Sequence, residues 1–138
     1  MDLLKYYNIA DDLSADNPLR YKVIGCCMNV SKALGDQLLE HVYQKALCCE
    51  LQNAGLNFEA EKSFDIHYRD TIIKDAIRAD IVVENQLIVE LKATNEIKPE
   101  HRRQLRTYLQ LTGLPYGLLV NFGRLILKNG GISCMDRY

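Results

Sequence analysis

The spacing of apolar residues along the chain changes period three times. From Leu19 to Leu34, the positions Val23, Ile24, Cys27, Val30 and Leu34 recur three or four apart, which predicts an amphipathic helix. Ser14-Ala15-Asp16-Asn17-Pro18 precedes it as an entry signal: polar side chains for the free N–H groups, with a proline at the first turn. Gly35-Asp36 interrupts, and a second helix is predicted from about Gln37 to Asn53, carrying Leu38, Leu39, Val42, Ala46, Leu47, Cys49 and Leu51, with Gly55 as its stop. The period then drops to two. Strands are predicted over Asn57–Ala60 and Ser63–Tyr68, with a turn at Arg69-Asp70 and continuation at Ile72-Ile73. Ile77–Val83 and Leu87–Ala93 follow as a hairpin. Pro99 opens a third helix, about Glu100 to Leu111, which Gly113 ends. Tyr116–Asn121 and Leu125–Lys128 read as short buried strands. Two helices, a run of strands, a crossover helix and closing strands predict an α/β or α+β sandwich with a mixed sheet. The connection from Leu87–Ala93 through the third helix to Tyr116–Val120 has the length of a right-handed parallel crossover.

The chemistry concentrates in the hairpin. Strand residues two apart share a face, so Glu90 and Lys92 project together while Val89 and Leu91 go the other way. A three-residue turn, Glu84 to Gln86, sets Asp80 opposite Glu90 with Cβ atoms roughly 5 Å apart. A two-residue turn slips the register by one and separates them. Both turns fit the sequence. Two carboxylates that close repel unless a cation sits between them, so the first register predicts a divalent-metal site beside a lysine.

Composition narrows the options. At 138 residues and 48% hydrophobic, the chain is expected to form one domain (1–138, core about 19–130, with 1–17 as an N-terminal extension). No apolar run approaches the ~20 residues of a membrane span, and Met1–Tyr7 lacks a signal-peptide layout, so a cytoplasmic protein without membrane contact is expected. Cys26, Cys27, Cys48, Cys49 and Cys134 show no zinc spacing and are expected to be buried free thiols. With 17 basic and 18 acidic residues there is no global field to draw in a polyanion. The one basic concentration is Lys98, His101, Arg102, Arg103 and Arg106. Glu40 and Tyr43 share a face of the second helix, as Gln104 and Tyr108 do on the third. Nucleotide-loop and nucleophile-elbow motifs are absent.

The run Leu34-Gly35-Asp36-Gln37-Leu38-Leu39-Glu40-His41-Val42-Tyr43-Gln44-Lys45-Ala46-Leu47 resembles the signature helix of the GxxExxY proteins, a group in the PD-(D/E)XK nuclease superfamily. Arg78–Val83 and Ile88–Ala93 resemble that family's acid strand and E-x-K strand. Gln104–Leu109 is similar to the Q-x-x-x-Y helix of RecB-like exonucleases, and Gly117–Gly123 to the family's closing strand and turn. The glycine that names the signature is Gln37 here, and Ser31 stands where relatives often carry histidine.

The resemblance implies a restriction-endonuclease-like fold, a central mixed β-sheet flanked by α-helices. It implies Mg²⁺ (or Mn²⁺) held by Asp80, Glu90, the Leu91 carbonyl and Glu40, with Lys92 completing a catalytic set of Asp80, Glu90, Lys92 and Glu40. Gln104, Tyr108, Tyr43, Arg102, Arg103 and Arg106 would meet the substrate, expected to be DNA. Two functions are therefore expected in competition. One is a metal-dependent deoxyribonuclease; the other is a non-catalytic module of the same fold, acting through a homodimer, a protein partner or a nucleic acid.

Overall fold

The computed structural model describes residues 17–124 and 131–137. Helix α1 (Pro18–Leu34) starts as its sequence requires: the Asn17 side chain accepts the Arg20 N–H at 3.1 Å, and Pro18 stands at the first turn. Helix α2 spans Glu40–Asn53. Three residues, Gln37 to Leu39, fall outside the helix expected to begin at Gln37. The cause is Tyr43, whose hydroxyl donates to the Gly35 carbonyl at 2.7 Å and accepts from the Leu38 N–H at 3.1 Å. These bonds hold the preceding loop in a non-helical path, and Leu38 and Leu39 are exposed.

A five-stranded sheet follows in the order β1-β2-β3-β4-β5, with β1 Phe58–Tyr68, β2 Thr71–Val83, β3 Leu87–Lys92, β4 Tyr116–Asn121 and β5 Ile132–Asp136. The two expected segments before Arg69 are one strand, β1, in which Glu61 takes a left-handed φ of 52°. Pairing is antiparallel except between β3 and β4, which are parallel and joined by helix α3 (Pro99–Thr112). Gly113 ends α3 in the left-handed region at φ 76°, its N–H donating to the Leu109 carbonyl. The strand expected at Leu125–Lys128 lies outside the described residues, and β5 was not foreseen.

Helices α1 and α2 cover one face of the sheet. Val23, Ile24, Cys27, Tyr43, Leu47 and Leu51 pack on Ile81, Val83, Val89, Leu91, Leu118 and Val120. Helix α3 covers the other, with Leu105 and Leu109 on Val82, Ile88 and Leu119. Gly117 permits that approach, since a Cβ there would lie 3.0 Å from Leu105. At the far end, buried Arg20 of α1 pairs with Asp136 of β5, donates to the Met135 carbonyl at 3.4 Å and stands over the Tyr116 ring. Cys26 and Cys27 are buried as expected, but Cys48 and Cys134 are half-buried and Cys49 is exposed on α2. Among the described residues no helix is long and apolar enough to cross a membrane.

Candidate active site

The hairpin adopts the three-residue turn, with Glu84 and Asn85 both at positive φ and Val83 paired with Leu87. Pairing between β2 and β3 stops at Ile81↔Val89. One residue further on, side chains replace the ladder: the Asp80 N–H donates to Glu90 Oε1 at 3.2 Å, and the Leu91 N–H donates to Asp80 Oδ2 at 2.7 Å. The strands part here, and each carboxylate satisfies a backbone donor that the parting leaves behind. The alternation of faces also breaks. Ala79 packs on the α3 side, whereas Ile81 packs beneath α1 and α2. Glu61, at its positive φ, lies across from this break, between the pairs Ala60↔Ile81 and Lys62↔Ala79.

Helix α2 brings a third acid. Glu40, Tyr43, Gln44, Leu47 and Leu51 follow helical spacing along one face, and Tyr43, Leu47 and Leu51 are buried. Glu40 and Gln44 are the polar end of that stripe. Gln44 Nε2 donates to the Asp80 carbonyl at 3.0 Å, the acceptor that the parted strands leave open. Sequence reasoning missed Gln44; the available signal was its i,i+4 relation to Glu40. Glu40, Gln44, Glu61 and Asp80, with Leu39, His41 and Leu91, line a cleft of about 420 Å³. Glu61 is held back by an ion pair to Arg78 at 3.0 Å. A smaller hollow of about 280 Å³, beside the hairpin turn and lined by Asn57, Glu59 and Glu84, contains neither Asp80 nor Glu90 nor Lys92.

Electrostatics tie the group together. Burial, then repulsion from Asp80, pushes the Glu90 carboxyl up to about 8, against opposition from the Asp80 N–H and Lys92. Glu40 is exposed as a residue, yet desolvation of its carboxyl and then Asp80 raise its pKa, and Lys92 opposes them. Tyr108, half-buried on α3, has its phenol raised above the ordinary value by burial, then by Glu90 and Asp80. Glu40, Asp80, Glu90, Lys92 and Tyr108 therefore feel one another across the sheet.

The remaining expected residues divide. Gln104 is exposed one turn from Tyr108. Arg102, Arg103 and Arg106 are exposed on α3, outside the cleft lining, and make no ion pair among the described residues. Tyr43 lies in the core and is not among the cleft-lining residues. It is fully buried and stacked on Phe122 (centroids 4.6 Å apart, planes at 4°), and its hydroxyl is spent on the Gly35–Leu38 loop. Beyond Lys92, buried Asn121 accepts from Thr94 N at 3.0 Å and donates to Thr94 O at 3.0 Å. Gly123 is required beside it, because a Cβ would lie 2.3 Å from Thr94 backbone atoms.

The donor set suits a hard divalent cation. Asp80 and Glu90 each commit one oxygen to a backbone N–H, which fixes the carboxylates and leaves each a second oxygen for a cation. Burial and then the Asp80 carboxylate raise the Glu90 pKa, so a cation between the two acids would favour their charged forms. Among the described residues no group of three or more His, Cys, Asp or Glu side chains is placed to hold a metal ion, so a cation at the Asp80–Glu90 pair would need water and substrate oxygens to complete its shell.

The model of the PD-(D/E)XK nuclease superfamily matches residues 17–133. The chain belongs to that superfamily. A solved structure titled "Crystal structure of SSO0001" is 22% identical over 86% of this chain, with a TM-score of 0.47; the match spans 59% of that chain's length. No match was found among curated proteins.

Proposed function

We propose that the chain is a divalent-metal-dependent nuclease that hydrolyses DNA phosphodiester bonds, with the narrower likeness to GxxExxY proteins resting on Glu40 and Tyr43 of α2. The observation that carries this reading is the Asp80–Glu90 pair, cross-bonded through the backbone where β2 and β3 part, with Lys92 next on β3 and Glu40 across the cleft. Asp80, Glu90 and the Leu91 carbonyl would hold Mg²⁺ or Mn²⁺, with Glu40 reaching it directly or through water. When bound, the ion supplies Lewis acidity to the phosphate and an acidified water.

The chain's own groups account for the rest. Gln44 holds the Asp80 backbone, and the Leu91 N–H holds its carboxylate. Lys92 orients the attacking water and offsets negative charge growing on the phosphate. The Tyr108 hydroxyl keeps its proton at neutral pH and donates to a substrate oxygen, with Gln104 beside it. Arg102, Arg103 and Arg106 hold flanking phosphates.

The test is incubation of linear, circular and single-stranded DNA with Mg²⁺, Mn²⁺ or EDTA, with Lys92→Ala in parallel. Metal-dependent cleavage that falls on the order of 10²-fold or more in the variant is expected. Equal cleavage by both proteins would overturn the assignment. A second reading, a binding or assembly module without catalysis, draws support from the net charge of −1 and from a cleft with no basic side chain among its lining residues other than His41. A folded protein that takes up no Mn²⁺ by calorimetry would favour it.

A further inference from the structure

The mouth of the cleft carries an apolar feature that the acid and lysine chemistry does not use. Leu39 is 70% exposed, the highest exposure of any large apolar side chain described, and neighbouring Leu38 is also exposed. Isolated surface leucines are ordinary. This one differs in three ways. It lines the cleft next to Glu40, Gln44 and Asp80. It occupies the N-cap of α2, a position that favours Ser, Thr, Asp or Asn, and the helix has no side-chain cap there. Its backbone is pinned, because Tyr43 holds Gly35 and Leu38 from within the core and the Leu39 carbonyl accepts the Val42 N–H at 3.1 Å. A stabilising cap has given way to a fixed apolar knuckle at the rim of a polar site.

We infer that Leu39, supported by Leu38, is a specificity-determining contact for a nucleobase beside the scissile phosphate, so that the enzyme acts on DNA whose bases are unstacked. This rests on the nuclease reading of the same cleft. The apolar surfaces of a nucleic acid are its base faces, and in a continuous duplex these are hidden by stacking. A leucine can meet one only at an end, a fork or a single strand, or by wedging into a base step. The acids at the cleft address the metal and Gln44 holds the Asp80 backbone, so neither makes that distinction.

The experiment compares kcat/KM on a blunt duplex and on a forked duplex of the same sequence, with Mn²⁺, for wild type, Leu39→Ser and Leu39→Phe, and records Tm for each. Wild type is expected to prefer the fork, and Leu39→Ser to lower that preference roughly fivefold or more. Because serine caps a helix, the same variant should melt a few degrees higher. Leu39→Phe should retain the preference. An unchanged fork-to-duplex ratio in Leu39→Ser would overturn the inference while leaving the nuclease standing. Equal losses on both substrates with a lowered Tm would make Leu39 a packing residue and overturn it too. A wild type that cleaves neither substrate would remove the nuclease reading itself.

Discussion

The two ends of strand β2 live in different surroundings. From Ala79 to Val83, every residue except Asp80 is buried between α1 and α2 on one side and α3 on the other. From Thr71 to Ala76, every residue is exposed, and β2 pairs with β1 alone, since β3 joins only at Ile81. A two-stranded ribbon has little independent stability in water. It holds here through cross-strand pairs such as Ile66 with Ile73 and the Asp65–Lys74 ion pair, which as a surface pair contributes little. Asp80 sits at the boundary. The candidate site lies where a covered sheet gives way to an open ribbon, so Glu90 is buried while Asp80 and Glu40 border the cleft.

That contrast can be broken at the boundary first. Glu90→Gln is expected to reduce metal-dependent cleavage on the order of 10³-fold, measured on linear DNA. The same variant has a second signature in metal-free protein. An unfolded Glu90 titrates near 4.5 and the folded one near 8, so between these values the folded chain keeps a proton that the unfolded chain has released. Its penalty is absent below about pH 4.5, grows as pH rises, and is complete above about pH 8. Denaturant unfolding across that window should show wild-type stability falling with pH, with Glu90→Gln flattening the slope. A wild-type slope of zero would contradict the burial of the acid pair.

Substitutions at the two ends sharpen the same comparison. Leu47→Ala, under the covered part of the sheet, should cost about 2–5 kcal/mol by chemical denaturation. Ile72→Ala, on the open ribbon, should change stability by about 0.5 kcal/mol or less. A large loss from Ile72→Ala would mean that the ribbon's exposed surface is covered in solution.

Much of this was legible in the sequence, and the gaps have physical causes. Helical periodicity located α1 and α3, because their apolar stripes agree with their caps. Alternation located β1, β2 and β3, and the acid and E-x-K pattern pointed to the Asp80–Glu90 pair. The turn length was not legible, since Glu84 and Asn85 both adopt left-handed conformations that the residue types permit without requiring. The hydrophobicity of Leu38 and Leu39 predicts a buried helix face, whereas side-chain bonds from Tyr43 to Gly35 and Leu38 hold this segment outside the helix. The spacing of Tyr43 from Glu40 reports a shared helix face, not which part of that face is closed by Phe122. Strand β5 escaped because Ile132-Ser133-Cys134-Met135-Asp136 does not alternate: its buried residues, Ile132 and Met135, are three apart.

The pairing of Arg20 with Asp136 has a consequence for how the chain reaches this state. The two residues are 116 positions apart, and among the described residues β5 is the strand made last. Until it arrives, the guanidinium of the first described helix has no carboxylate, and burying it alone would be costly. Helix α1 therefore cannot settle fully onto the sheet early in synthesis. The hairpins β1–β2 and β2–β3 close over short loops and can form beforehand, while docking of α1 waits for the far end of the sheet.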